Sequence, residues 1–346
     1  MKLKFLCTKL SGTGGTETVL VKVLNHLVTQ NEVELVLADE PVKYEWLDKL
    51  DQKIKVKIYA RRFEKLIKFT QLFLSADKST CFISLSPKII KLGAKIKQLL
   101  HKHYTLLSWI HFSLADQDMF DAANTIPLAD GHLAISSPVK AELMKYGVPE
   151  EKIRLVYNPI EPESAKLPSY SDNKPHFFYA GRLMLAGQKN LGELLTGIAH
   201  FDEALLDMYG TGVDAKKCEY KATELGIADR VTWHGWTPDL WQTIKKRPTA
   251  LVMTSKYEGL PMIMLEAIAR GIPVVSSRFN GYRDVLKDGE NGFTYDVGDL
   301  AGLERALHAV AQTTFEPQVV KQSIAPFYLE NYFANLEQAL VELAKN

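Results

Sequence analysis

The feature that most constrains the fold of this chain is a rhythm that runs through it twice, in which short apolar, β-branched segments alternate with longer amphipathic ones. Before residue 160 the short segments are LKFLCT, VELVLA, IKVKIYA, CFISLS, TLLSWIH, HLAISS and IRLVYNP, with helical patterns beginning at about Thr16, Pro87 and Pro138. Strand and helix patterns in alternation make a parallel sheet with helices on both faces. The rhythm breaks across Pro159, Pro162, Pro168 and Pro175, where EPESAKLPSYSDNKP is polar and rich in turn residues. It resumes with HFFYAG, EALLDMYG, RVTWHG, TALVMTS, IPVVSS and GFTYDV, interleaved with helices from Asn190, near 215–225, from Pro261 and from Asp299. Two α/β domains are predicted, residues 1–160 and 161–322, with the linker in the proline-rich break. Residues 323–346 follow as an amphipathic helix with Phe327, Tyr328, Tyr332, Phe333, Leu336, Leu340 and Leu343 at helical spacing, which either closes the second domain or crosses back to the first.

At 346 residues the chain is longer than one hydrophobic core usually serves, which agrees with two domains. An apolar share of 46% and a charged share of 24% are those of an ordinary folded protein. The start, MKLKFLCTKL, reads as a first strand and not as a signal, and no apolar run approaches the ~20 residues of a membrane-spanning helix. Cys7, Cys81 and Cys218 are few and far apart, so a reducing, cytoplasmic setting is expected, without disulfides or structural zinc.

The net charge of +1 conceals an asymmetry. Residues 49–103 carry 14 basic and 3 acidic side chains, among them Arg61, Arg62, Lys65, Lys68, Lys88, Lys91, Lys95, Lys97 and Lys102. With its apolar partners in KIIKLGAKIKQLL, this stretch is a candidate for lying on an anionic membrane surface, and equally an ordinary surface helix.

Ligands of parallel sheets bind beyond the carboxyl ends of the strands, so the chemistry is sought in the strand-to-helix loops. The first such loop is Ser11-Gly12-Thr13-Gly14-Gly15-Thr16-Glu17. Glycines there let backbone N–H groups approach a phosphate at a helix N-terminus, although the spacing is not that of the dinucleotide fingerprint. A more specific pattern is Tyr257-Glu258-Gly259-Leu260-Pro261-Met262-Ile263-Met264-Leu265-Glu266. Pro261 suits the first helical position, which leaves Glu258 in the loop and Glu266 inside an otherwise apolar helix, able to address two parts of one ligand. Strand HFFYAG leads to Gly181-Arg182, with Lys189 seven residues on. A guanidinium fork and a lysine point charge suit a pyrophosphate, both for binding and for stabilising it as a leaving group. Asp116-Gln117-Asp118 has the spacing of a metal-binding pair but falls in a polar loop, and it reads as solvated or capping. No divalent site and no nucleic-acid partner is expected.

These residues together resemble the glycosyltransferase family 4 enzymes of the GT-B fold, in particular the branch of lipopolysaccharide core 1,6-galactosyltransferases. The resemblance covers nearly the whole chain and also rests on SWIHFS around His111, HLAISS, Val156-Tyr157-Asn158-Pro159, Gly187-Gln188-Lys189 and His234-Gly235-Trp236. It departs at Asn158-Pro159, where many relatives have glycine and then aspartate. The resemblance implies two Rossmann-like domains facing across a cleft, a UDP-hexose donor, a saccharide or lipid-linked acceptor, and retention of anomeric configuration. It implies that Arg182 and Lys189 hold the diphosphate, Glu266 the ribose, and Glu258 with the Gly259, Leu260 and Pro261 backbone the sugar and its phosphate. Amides of Gly14 and Gly15 would complete the phosphate site, His111 would touch the donor sugar, and the uracil would lie by Gly235 and Trp236. No metal or other cofactor is implied. Competing readings are an epimerase of the same architecture, which needs no acceptor, and a non-catalytic nucleotide-sugar-binding protein.

Overall fold

A computed structural model describes the chain apart from Lys9, Thr13, Ala60, Ser113, residues 115–119 and 165–166, Ser171, Asn173, Asn346 and the side chains of Arg62 and Phe63. The chain divides into two compact units, Met1–Pro159 with Leu329–Asn346, and Ile160–Tyr328.

The first unit holds strands β1 (Lys2–Cys7), β2 (Glu32–Leu37), β3 (Lys55–Ile58), β4 (Thr80–Ser84), β5 (Thr105–Ile110), β6 (Gly131–Ala134) and β7 (Ile153–Leu155). All pair in parallel, in the order β3-β2-β1-β4-β5-β6-β7. Helices α1 (Gly15–Leu27), α2 (Arg62–Leu74), α3 (Pro87–Leu99) and α4 (Ser137–Lys145) connect them. The central strands are mostly apolar and buried because both faces are covered; every residue of β4 is buried. Under α2 and α3 the core is aromatic: Phe73, Phe82 and Tyr104 meet with ring centroids 4.7 to 5.6 Å apart, and the Tyr104 hydroxyl donates to the Gly93 carbonyl (2.7 Å).

The second unit holds β8 (His176–Ala180), β9 (Leu205–Tyr209), β10 (Val231–Gly235), β11 (Ala250–Met253), β12 (Val274–Ser277) and β13 (Gly292–Tyr295), parallel in the order β10-β9-β8-β11-β12-β13. Its helices are α5 (Leu191–Ala199), α6 (Ala215–Glu224), α7 (Leu240–Thr243), α8 (Met262–Ala269), α9 (Leu300–Gln312) and α10 (Pro317–Gln322). Asp299 caps α9 by accepting from the Gly302 N–H (2.9 Å). At the carboxyl ends of β8 and β9 the backbones run so close that a Cβ on Gly210, whose φ is +132°, would lie 1.9 Å from the Gly181 carbonyl oxygen.

The last helix, α11 (Leu329–Ala344), belongs to the first unit. It buries Tyr332, Leu336, Leu340 and Leu343, and Leu343 comes so near β6 that a Cβ on Gly131 would be 2.8 Å from it. His26 of α1 stacks on Phe333 (3.7 Å), and Arg154 pairs with Glu342 (2.6 Å). Phe327 and Tyr328 precede this helix instead of forming its first turn: Phe327 ends a short 3-10 turn, and its carbonyl accepts from the Ile160 N–H (2.8 Å) within the second unit. The polar stretch after Pro159 is tied down as well. Glu163 pairs with Arg270 (3.3 Å), its carbonyl accepts from Lys321 (2.6 Å), and Asp172 meets His176 (2.7 Å).

Candidate active site

In the second sheet the strand order reverses between β8 and β11, which are neighbours. A reversal of this kind opens a crevice where the loops leaving two adjacent strands turn to opposite sides. The loop after β8 carries Arg182 and Lys189; the loop after β11 carries Glu258. The two loops are sewn together. Thr254 donates its hydroxyl to the carbonyls of Lys189 (2.9 Å) and Asn190 (3.1 Å), and the Lys256 N–H donates to the Gln188 carbonyl (2.8 Å). Lys189 and Glu258 then meet as an ion pair at 2.5 Å, with side chains only 16% and 10% exposed.

Arg182 is exposed, and its guanidinium is steered by Gln188: Nη2 donates to Gln188 Oε1 (2.7 Å), while Gln188 Nε2 donates to the Tyr257 carbonyl (3.1 Å). Tyr179 pins the arginine's main chain, its hydroxyl donating to the Arg182 carbonyl (2.8 Å); burial, and then the Glu258 charge, hold that phenol protonated. Gln188 thus joins the two loops through one amide, a part its place beside Lys189 did not reveal.

Pro261 stands one position earlier than the sequence suggested. It is the N-cap, and the helix starts at Met262 because Pro261 itself, with ψ at 119°, is still extended. Six of the eight α8 residues are buried, and Glu266 is one of the two partly exposed positions. Its Oε2 accepts from the indole Nε1 of Trp241 (2.9 Å). The Arg270 guanidinium lies 4.1 Å from the Trp241 ring centroid and donates to the Glu266 carbonyl (3.1 Å). Arg270 follows Glu266 at the i,i+4 helical spacing, the one sequence signal that could have flagged it.

Gly235 ends β10 with φ at +68°, and its carbonyl accepts from the Gly210 N–H (2.7 Å); Trp236 beside it is 48% exposed.

In the first unit, Gly14 caps α1 with extended backbone and Gly15 is the first helical residue, so their N–H groups belong to the end of the helix that has no internal partners. Glu17 is buried and turns back onto the loop, accepting from the Gly12 N–H (2.6 Å) and the Ser11 hydroxyl (3.0 Å). The third helical residue thereby holds the turn closed, much as in a capping box. His111 follows β5 with Trp109 edge-on at 4.4 Å. Its Nε2 is enclosed without a partner among the described residues, and burial pushes the imidazole down to about 3. It is neutral at physiological pH.

Four cations of the basic stretch are matched by acids from outside it: Lys55 by Glu32 (3.0 Å), Lys57 by Glu34 (2.6 Å), Lys97 by Asp130 (2.6 Å), and Lys65 by Asp39. Apolar side chains nonetheless remain exposed there, Leu66 and Ile67 on α2 and Leu99 and Leu100 at the end of α3. No helix among the described residues is long and apolar enough to cross a membrane. Asp116, Gln117 and Asp118 lie outside the described residues.

The family model for glycosyl transferases group 1 matches residues 161–318, the part of the chain that carries Arg182, Lys189, Glu258 and Glu266. Over 98% of both chains the sequence is 33% identical to a lipopolysaccharide 1,6-galactosyltransferase of Salmonella typhimurium. The chain belongs to the group 1 glycosyltransferases. The glycosyltransferase also superposes on a solved lipopolysaccharide outer core galactosyltransferase, WaaB in its apo form, with a TM-score of 0.86 at 33% identity over 99% of each chain. At 18% identity it shares its fold with Anabaena Alr3699/HepE, solved in complex with UDP, at a TM-score of 0.79 over 99% of this chain and 100% of that one. The fold is GT-B.

Proposed function

We propose that this glycosyltransferase moves a hexose, galactose before glucose, from a UDP-sugar to a saccharide or lipid-linked acceptor in the synthesis of lipopolysaccharide or a related envelope glycan. The anomeric configuration is retained and no metal ion takes part. The observation that carries the reading is the pairing of Lys189 with Glu258 at the carboxyl ends of β8 and β11, where Gln188 also ties the Arg182 guanidinium to the Tyr257 carbonyl of the second loop. The name of the Salmonella relative supports galactose and a lipopolysaccharide acceptor, and the UDP held by a protein of the same fold supports the nucleotide.

In this reading Arg182 and Lys189 bind the diphosphate and stabilise the charge that develops on it as the bond from the sugar's anomeric carbon to the β-phosphate oxygen breaks. Two fixed cations do the work that a divalent ion would otherwise do. Glu258 binds hydroxyls of the transferred sugar, Glu266 binds the ribose, and Gly235 and Trp236 border the uracil. The acceptor hydroxyl attacks the face that the diphosphate leaves, its oxygen bonds to the anomeric carbon, and its proton passes to the departing phosphate, giving UDP.

The acceptor reaches the enzyme at the inner face of the cytoplasmic membrane, where the exposed Leu66, Ile67, Leu99 and Leu100, with neighbouring lysines, rest on anionic lipid. Salt-sensitive cosedimentation with vesicles containing phosphatidylglycerol tests this part alone.

The donor is tested by thermal shift and UDP release, in the presence of EDTA, against UDP-galactose, UDP-glucose, their N-acetyl forms and GDP-mannose, beside Glu266→Ala. Stabilisation by one UDP-hexose with release of UDP, abolished in the variant, is expected. No response to any sugar nucleotide would overturn the reading, and activity restored only by a divalent metal would overturn metal independence.

A further inference from the structure

Trp241 lies outside every motif that pointed to the site, yet its side chain is bonded to one of the site's carboxylates. It sits on the four-residue helix α7, fixed there by the Asp239 carboxylate, which accepts from the Gln242 N–H (3.1 Å), and by the Thr243 hydroxyl, which donates to the Asp239 carbonyl (3.1 Å). The indole ring meets Phe178 edge-on at 5.9 Å and carries the Arg270 guanidinium 4.1 Å from its centroid. Arg270 is itself held by the Glu266 carbonyl (3.1 Å) and the Glu163 carboxylate (3.3 Å). The result is a rigid indole whose single polar atom, Nε1, donates to Glu266 Oε2 at 2.9 Å.

Tryptophan has one donor and a carboxylate has two oxygens, so this bond uses one half of the Glu266 carboxylate and fixes the plane of the other. Among the described residues Glu266 Oε1 has no protein partner. A cation over the indole face is attracted by the ring and draws electron density toward itself, which strengthens the N–H as a donor. We propose that Trp241 is a positioning residue for nucleotide recognition: it locks Glu266 so that Oε1 faces the vicinal diol of the nucleotide's ribose, and Arg270 holds Trp241 in place. The assignment rests on the reading of Glu266 as the ribose carboxylate.

The test is binding of UDP and of 2′,3′-dideoxy-UDP, by calorimetry, to the wild type and to Trp241→Phe, which keeps an aromatic ring under Arg270 and removes the donor. Loss of one hydrogen bond to a charged group should weaken UDP by roughly tenfold. Binding of the dideoxy nucleotide, which has no diol to offer, should stay within about twofold, and the Trp241→Phe change should add nothing to Glu266→Gln. Equal weakening of both nucleotides, or no weakening of either, would overturn the role of Trp241 while leaving the donor reading intact. A wild type that binds UDP no better than dideoxy-UDP would remove the ribose assignment itself. Should Trp241→Phe not fold, Arg270→Lys is the second variant, with the same selective loss expected and the same outcomes decisive.

Discussion

The ion pair between Lys189 and Glu258 joins two groups that are both proposed to bind the donor, so in the free enzyme each occupies the other's ligand position. A diphosphate arriving at Lys189 has to displace the Glu258 carboxylate, and the released carboxylate then becomes available to sugar hydroxyls. Glu258→Gln removes the competing anion at nearly constant shape. With the pair at 2.5 Å and its side chains 16% and 10% exposed, little water screens it. Close charge pairs of this kind couple by about 1.5 kcal/mol or more. If UDP gives back that much on displacing Glu258, the variant should bind UDP roughly tenfold more tightly, since about 1.4 kcal/mol is a factor of ten. The free variant should be less stable, because a largely buried ammonium has lost its counter-charge, and UDP should raise its melting temperature by more than it raises that of the wild type. Hexose transfer should be lost at the same time, because the sugar's carboxylate partner is gone. Calorimetric titration with UDP decides the matter: binding by Glu258→Gln that is equal to the wild type's, or weaker, would refute displacement as the route by which the phosphate reaches Lys189.

Other expectations concern charge and fold. Arg182→Lys cannot reproduce a forked guanidinium on Gln188 Oε1, and should lower kcat/KM for the UDP-hexose by roughly tenfold to a hundredfold with little change in melting temperature. Gly210→Ala places a methyl against the Gly181 carbonyl at a positive φ and should cost about 3 kcal/mol, read as a drop of roughly 6–12 °C in Tm. His111 and His132 are held neutral by burial, at about 3 and about 4, below the usual histidine value of 6.5. The folded state therefore binds fewer protons than the unfolded chain below pH 6.5. The stability they contribute is complete above that pH and is lost as pH falls toward 4 and then 3, at up to about 1.4 kcal/mol per pH unit for each group. Urea unfolding at pH 7, 6 and 5 should show the decline, and His132→Asn should flatten it.

Parts of this molecule that follow from neighbours along the chain were legible in the sequence. The strands are legible as apolar runs, and the start of α9 at Asp299 is legible because a cap is a local device. Glu258 and Glu266 stand out because one loop and one helix, eleven residues in all from Glu258 to Ile268, contain both a turn signal and a charge in an apolar setting. What depends on distant partners was hidden. Trp241 reaches Glu266 across 25 residues, and only the order of the strands brings them together. The basic stretch looked more positive than it is, because parallel pairing sets β3 beside β2 and so delivers Glu32 and Glu34 to Lys55 and Lys57. The amphipathic pattern of α11 showed that it has an apolar face without showing which sheet that face would meet.

That last helix has a consequence for how the protein is made. Most of the first unit leaves the ribosome before the second, but the helix that covers β6 with Leu343 and stacks Phe333 on His26 is synthesised after the second. Between the two lies all of Ile160–Tyr328. At about 5–20 residues per second, the unfinished unit waits roughly 10–30 s with the apolar seat of α11 uncovered. The second unit, continuous in sequence, is free to fold during that interval. Order of synthesis and order of completion are thus reversed: the half that carries Arg182, Lys189 and Glu258 can mature before the half that was begun earlier, and a nascent chain cut short anywhere before Leu329 leaves the earlier half open.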